Sequence, residues 1–293
     1  MRTIIAVTAL ALLGAVATAA GERTVSSDLN VTLTQNAYSD NWEGSESGAI
    51  SWATNWNSMA EAQLNERIHN KHTLKLAFGQ THSQDRETKK WQSPVKSTDL
   101  ADYETVFRFT YGWFVDPFVS AGAASQFLDE SDSTKTRYLN PTTIREGFGV
   151  AKVLLTGEDK EWTVRLGGGL RQRIDRDAIS EEDSDVRGTV TTESGGVEFV
   201  SEFHSPFAGD RLTATSKLTL YRALYSSESD ALEGTPEADD WEATDVDWEN
   251  TLTASITKYL MVNLYVRLLY DREIDDEVRF KETLSLGFTF KLS

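Results

Sequence analysis

Four histidines are the residues of this chain whose chemistry would most readily be catalytic. A hydrolase built on a Ser/His pair needs the serine hydroxyl within hydrogen-bond reach of the imidazole, and a third polar group to orient the base. His82 and His204 are each followed directly by a serine, but neighbouring residues of a strand point to opposite faces, so neither pair is a dyad. His69 and His72 flank a short turn, where a solvated or structural role is expected. We therefore expect no enzyme, although a serine from another strand would complete a site at His82.

Two other segments resemble binding motifs without fitting them. The glycine run Gly167–Gly169 is followed by no helix that would present its amides to a phosphate, so it indicates a bend or a close backbone approach in a strand. The stretch Glu228–Glu242 is dense in carboxylates, but its spacing does not fit an EF-hand loop. We expect a solvated loop there, with loose divalent-cation binding as a hypothesis, and we expect no cofactor.

Composition excludes several classes of function. The net charge of −17 leaves no basic surplus for nucleic acid. Cysteine is absent, which excludes disulfides and thiolate metal sites. Residues 1–20 combine Arg2, an apolar run too short to span a bilayer, and small residues before Gly21, as in a cleaved secretory signal peptide. No long apolar run follows, and we expect residues 21–293 to form a single domain.

Strict two-residue alternation of apolar and polar side chains recurs along the mature chain and predicts β-strands. It is clearest in residues 50–64, 103–113, 162–171, 246–256, 262–270 and 280–290, and weaker in 28–38, 72–83, 118–127, 146–156, 194–206 and 211–225. Short connections near residues 66–71, 115–117, 157–160, 206–210 and 258–260 alternate with longer polar ones at 39–47, 84–98, 129–145, 175–188, 226–242 and 271–277. The pattern predicts an all-β protein, a transmembrane antiparallel β-barrel of about 12 strands with short periplasmic turns and long extracellular loops. Aromatic residues beside the turns, Trp113, Phe114 and Phe118 among them, fit interfacial belts.

The polar face of these strands carries charges of both signs. If the apolar face meets lipid, the lumen is lined by Lys75, Glu104, Arg108, Arg165, Arg171, Arg173, Glu198, Glu202, Lys217, Asp247, Glu249, Arg267 and Lys281. Because the signs segregate by strand, we expect opposite charges on neighbouring strands to pair. Two interpretations stay open, a salt-bridged interior that fills the barrel and a narrow channel with charged walls.

Several short motifs follow one another along the chain: Asn41–Gly44, Ile50–Trp52, Leu74–Thr81, Lys96–Asp99, Asp116–Phe118 and Asn140-Pro141. In this order they resemble an uncharacterised bacterial family, the domain of unknown function 3078. The resemblance implies a β-barrel-like envelope protein and brings no activity or ligand. The family of salt-induced outer-membrane proteins is a second candidate with the same architecture.

The C-terminus resembles the signal read by the barrel-assembly machinery, with Ser285, Gly287, Phe290 and Leu292 in the expected places and Ser293 as a departure. We thus expect a protein of the cell outer membrane that meets outer-membrane lipid, lipopolysaccharide and that machinery. The leading functional expectation is a narrow channel for small polar or charged solutes. The alternative is a non-conducting structural or surface-interaction barrel whose acidic loops bind divalent cations or lipopolysaccharide, and a lipid hydrolase is less favoured.

Overall fold

The computed structural model describes residues 23–36, 47–85, 87–132, 134–157, 159–179, 186–208, 211–257 and 260–291, with backbone alone for 288–291. The expected signal peptide lies outside this part of the chain. Among these described residues there are fourteen strands: β1 Arg23–Asn36, β2 Ala49–Asn65, β3 Ile68–Ser83, β4 Val95–Phe109, β5 Asp116–Ser125, β6 Leu128–Asp129, β7 Arg137–Tyr138, β8 Thr142–Gly157, β9 Lys160–Ile179, β10 Arg187–Phe207, β11 Leu212–Ser226, β12 Thr244–Ser255, β13 Leu260–Asp271 and β14 Asp275–Lys291. One helical turn, α1 Ser229–Leu232, and a 3-10 turn, Asp240–Glu242, lie between β11 and β12. No helix of the described residues is long and apolar enough to cross a membrane.

Twelve of these strands close into one antiparallel barrel, in the order β1-β14-β13-β12-β11-β10-β9-β8-β5-β4-β3-β2. The predicted number of strands and their antiparallel arrangement are therefore confirmed. Closure is uneven, because β1 pairs with β2 over fourteen residues but with β14 over four, Asp28–Val31. Beyond Val31 the two end strands are not paired with each other.

The strand alternation sorts side chains between an apolar outside and a charged inside. Leu166 and Leu170 of β9 and Leu284 of β14 are about half exposed or more, whereas Arg165, one residue from Leu166, is only 4% exposed. A barrel that is apolar outside and polar inside has the side-chain distribution of a membrane-spanning barrel. The weaker alternation of 146–156 also separates two faces, with Phe148 and Val150 outside and Ala151 buried, up to the register shift between Val153 and Leu155.

Connections on one rim are short and most of those on the other are long, as predicted. Several expectations about boundaries were wrong. Strands β9 and β10 run into the connection predicted at 175–188, with β9 ending at Ile179 and β10 beginning at Arg187. The connection at 271–277 is a tight turn, because Asp271 pairs with Asp275 and both strands run further than their apolar residues do. Strand β4 ends at Phe109, so Trp113 and Phe114 lie in the turn that follows and are strongly exposed.

One long connection completes the barrel wall beside the short strand β5. Strand β5 is short, and residues 126–141 between β5 and β8 carry the small hairpin β6–β7. Two polar residues of this insertion, Asp129 and Asn140, are only 1% exposed. A connection with such buried polar groups is held by hydrogen bonds.

Candidate functional site: a charged lumen

The centre of the lumen is occupied by a cluster of ion pairs that joins opposite walls. Glu104 of β4 accepts a hydrogen bond from Arg165 of β9 (Oε1 to Nη2, 2.7 Å) and another from Lys217 of β11 (Oε2 to Nζ, 2.7 Å). Glu202 of β10 lies 3.5 Å from Arg165, 3.4 Å from Lys217 and 3.4 Å from Lys71 of β3. Because β4 and β9 are not neighbours in the barrel, these bonds cross its interior.

A second crossing lies beside the first. Lys75 of β3 donates to Glu249 of β12 (Nζ to Oε2, 2.6 Å). Next to it, Arg267 of β13 binds Asp247 in a bidentate pair at 2.9 and 2.8 Å, and its Nε lies 3.7 Å from Glu249. Between Lys75 and Glu249 the circumference divides into a group made of β13, β14, β1 and β2 and a group made of β4, β5 and β8–β11.

A third set of pairs lies nearer the long-loop rim. Arg171 of β9 donates to Asp245 of β12 at 2.9 Å and lies 3.6 Å from Glu198. Its guanidinium carbon stacks 3.5 Å from the ring centre of Tyr221. Arg145 of β8 donates to Asp102 of β4 at 2.7 Å, and passes over β5 at Gly122, where a Cβ would lie 3.4 Å from the guanidinium.

A cavity of about 170 Å³ remains between the central cluster and this third set. It is lined by side chains of both sets, among them Glu104, Arg145, Arg171, Glu198 and Asp245. Its walls thus hold charges that are already paired with one another. Such a cavity holds a few water molecules or one small polar molecule.

The side of the lumen formed by β13, β14, β1 and β2 differs in chemistry. Its inward residues are mostly small and polar, including Asn30 and Thr32 of β1, Ser51, Asn55 and Asn57 of β2, Asn263 of β13, and Thr283, Ser285 and Gly287 of β14. Inward residues of β14 such as Lys281 and Thr283 are exposed. This side is therefore the wetter of the two.

Phe118 was expected in an interfacial belt, and that expectation was wrong. It faces the lumen, is 5% exposed, and lies under Arg165, whose guanidinium carbon is 5.5 Å from the ring centre. Two glycines opposite each other, Gly149 and Gly167, bring β8 and β9 close, since a Cβ on Gly167 would lie 2.0 Å from the carbonyl oxygen of Phe148. The expectation that the glycine run marks a close backbone approach is thus met at Gly167.

At the long-loop rim the insertion 126–141 is tied to the wall. Asn140 donates to Asp129 at 2.9 Å and to Asp175 at 2.7 Å, and its Oδ1 accepts from the amide of Arg176 at 2.8 Å. Arg137 pairs with Asp129 at 2.6 Å. The hydrogen bond from Arg187 holds the pKa of Asp132 well below its usual range. These contacts fix the insertion as part of the wall.

Several carboxylates lie close together at the tight turn between β13 and β14. Partial desolvation, together with the nearby carboxylates of Asp271, Asp245 and Glu228, raises the pKa of Glu273 to about 7 although its side chain is exposed at the surface. Asp240 of the long acidic loop pairs with Arg272 at 2.8 Å. Across the described residues, no group of three or more His, Asp or Glu is arranged to hold a metal ion.

The structure brings most of the predicted lumen charges together. Lys75, Glu104, Arg165, Arg171, Glu198, Glu202, Lys217, Asp247, Glu249 and Arg267 belong to the pairs above, and Arg108 pairs with Asp116 at 3.3 Å. Arg173 and Lys281 lie on the inward face without an ion pair to any described residue. Of the expected assembly signal, Ser285 and Gly287 lie on the inward face of β14, the backbone of Phe290 pairs with that of Leu29, and Leu292 is outside the described residues.

Four members of the network were missed from the sequence: Lys71, Asp102, Arg145 and Asp245. Each lies on the inward alternation of its strand, one residue before the stretch in which alternation was recognised. They can be recognised as charged residues on the inward alternation once each predicted strand is extended by one residue at its N-terminal end.

Three of the four histidines lie within hydrogen-bond distance of a carboxylate or a hydroxyl group. His69 pairs with Glu61 at 2.8 Å, His72 with the Tyr103 hydroxyl at 2.7 Å, and His204 lies 3.1 Å from the hydroxyl of Thr215.

Comparison with solved structures finds barrels of low similarity. The translocator domain of the autotransporter NalP from Neisseria meningitidis aligns with 11% identity over 97% of this chain and 93% of that one, with a TM-score of 0.41. An outer-membrane channel from Pseudomonas putida F1 aligns with 14% identity over 94% and 96%, with a TM-score of 0.41. At this level the likeness assigns no function. No protein-family model matches the chain, and no curated protein matches it, so the resemblance to the domain of unknown function 3078 stays a prediction.

Proposed function

We propose that this protein is an outer-membrane barrel that forms a narrow passage for small polar or charged solutes. The supporting observation is the division of the lumen by the Lys75–Glu249 pair. On one side ion pairs fill the interior, while on the other, between β13 and β2, small polar side chains line a hydrated strip. An open porin is not supported, since the crossing bonds exclude a wide pore.

The outer surface supports the location. Its half-exposed leucines, valines and aromatic residues would be costly in water but stable against lipid tails. Contact with outer-membrane lipid and lipopolysaccharide, and folding by the barrel-assembly machinery, are part of the proposal.

A non-conducting structural barrel is a second candidate, and the central cluster favours it. Glu104 and Glu202 share Arg165 and Lys217, and a cluster in which every charge has a partner is well suited to brace opposite walls.

Purified protein in a planar bilayer separates the two. We expect discrete conductance steps, smaller than those of an open porin. A membrane that stays silent with folded protein would contradict the channel and leave the structural barrel, folding being shown by different migration of boiled and unboiled samples on a denaturing gel and insertion by flotation with lipid vesicles.

A further inference from the structure

We infer that the hydrated side of the lumen binds and passes small anions, and that Arg279 and Lys281 of β14 form the site. This rests on the proposed function, because it names the class of solute that the same passage favours. The two residues were not recognised together from the sequence, where Lys281 was one of many lumen charges.

Arg279 and Lys281 both face the lumen. Val278, Phe280, Leu284 and Leu286 are all more than half exposed on the outside of the barrel. Arg279 and Lys281 alternate with them, and they are the register partners of Leu269 and Arg267 on β13. Leu269 lines the lumen cavity and Arg267 pairs with lumen carboxylates, so both cations face inward.

The positive charges of Arg279 and Lys281 are not neutralised by any described residue. Asp247 binds Arg267 through two hydrogen bonds, and Glu249 binds Lys75 at 2.6 Å. Neither Arg279 nor Lys281 forms an ion pair with a described residue, and Nε and Nη2 of Arg279 are buried without a hydrogen-bond partner. In the central cluster, by contrast, Arg165 and Lys217 each lie against two carboxylates, those of Glu104 and Glu202.

Like charges lie side by side on β13 and β14. Arg267 and Lys281 are directly opposite on neighbouring strands, and like charges so placed destabilise a sheet. Three cations lie on these two strands, and the carboxylates beside them, Asp247 and Glu249, are bound by Arg267 and Lys75. Positive charge on Arg279 and Lys281 is therefore left beside exposed, small polar side chains. A small anion would supply the missing hydrogen-bond acceptor and the missing negative charge.

An anion site on β14 has the opposite charge preference to the protein as a whole. A chain with a net charge of −17 would by its overall field draw cations toward its mouths. Anion preference must therefore come from the local groups on β14, which makes the site testable by substitution.

The test is the reversal potential of the wild-type protein in a planar bilayer under a potassium chloride gradient, compared with the double variant Arg279→Gln/Lys281→Gln. We expect chloride to be favoured over potassium in the wild type, and the double variant to lower that preference by about threefold or more. Lys90→Gln removes one positive charge from an exposed loop and should leave the preference unchanged. Gel migration before and after boiling shows that each variant is folded, and Lys281→Gln alone serves if the double variant does not assemble.

The outcomes are distinct. A silent membrane contradicts both the channel and the anion site. Conductance that is cation-selective, or anion-selective to the same degree in the double variant, overturns the anion site and leaves the narrow channel standing.

Discussion

Glu104 and Arg165 lie on strands β4 and β9, separated by two other strands of the barrel, and their side chains meet across the lumen at 2.7 Å. Arg165 is 4% exposed. A guanidinium so buried depends on its carboxylate, because removing one partner leaves an uncompensated charge.

Glu104→Gln should therefore destabilise the barrel by about 3 kcal/mol, since it leaves Arg165 and Lys217 with Glu202 as their shared carboxylate. The measurement is urea unfolding in lipid vesicles, followed by tryptophan fluorescence. Glu242→Gln, in the acidic loop, is the matched control and should change stability little. Equal stability of the two variants would show that the crossing pair does not brace the walls.

Removing the dividing pair should widen the passage. Lys75→Ala/Glu249→Ala deletes both partners, so no single buried charge is left from the pair, and we expect single-channel conductance to rise about twofold. Lys135→Ala/Asp177→Ala removes an exposed ion pair of the rim and should not change conductance. If the first variant conducts like the wild type, the passage does not run beside this pair.

Asn140 joins the insertion to the wall through two hydrogen bonds, one to Asp175 and one from the Arg176 amide, and it donates a third to Asp129 within the insertion. Asn140→Ala leaves Asp129 and the Arg176 amide without these partners and should cost about 2 kcal/mol of local stability. The expected result is faster proteolytic cleavage within residues 126–141, measured by mass spectrometry of the fragments. Gln92→Ala, in another loop, should cleave like the wild type. Unchanged cleavage in Asn140→Ala would mean that the insertion is held by other contacts.

The turn between β13 and β14 should loosen as pH rises. The pKa of Glu273 is raised from 4.5 to about 7, so the folded turn binds its proton more tightly than the unfolded chain does. Its contribution is fully present below about 4.5 and is lost as pH rises through about 7. Amide protection factors for residues 271–275, corrected for intrinsic exchange, should fall between pH of about 5.5 and about 8. Glu273→Gln should abolish this difference, and a difference that persists in the variant would assign it to another group.

The barrel was predictable because alternation is a property of each strand by itself. Residues 162–171 show their inward and outward faces in sequence alone, and the short and long connections order the strands. The ends of the strands were harder to predict from the sequence. Arg145 and Asp102 extend the alternation as charges close to the rim, where polar residues also occur in loops, so sequence does not distinguish the two.

The partners of the lumen charges could not be predicted either. Neighbouring strands were expected to pair, and Arg267 with Asp247 does so. The pairs of Arg165 with Glu104 and of Lys75 with Glu249 depend on the diameter and twist of the closed barrel. Those are set by register and shear across all twelve strands, which no single strand reveals. Phe118 was misplaced because its proximity to a turn gives no information on which face it occupies.

The barrel closes where β1 meets β14, through four residue pairs beside the fourteen that join β1 to β2. Among the described residues, every other pair of neighbouring strands is joined by at least eight residue pairs, so nearly all of the backbone pairing is already present in an open, curved sheet. Shutting the ring adds little to that sheet, and parting it again removes little. We therefore expect the wall to separate at this junction at the lowest free-energy cost.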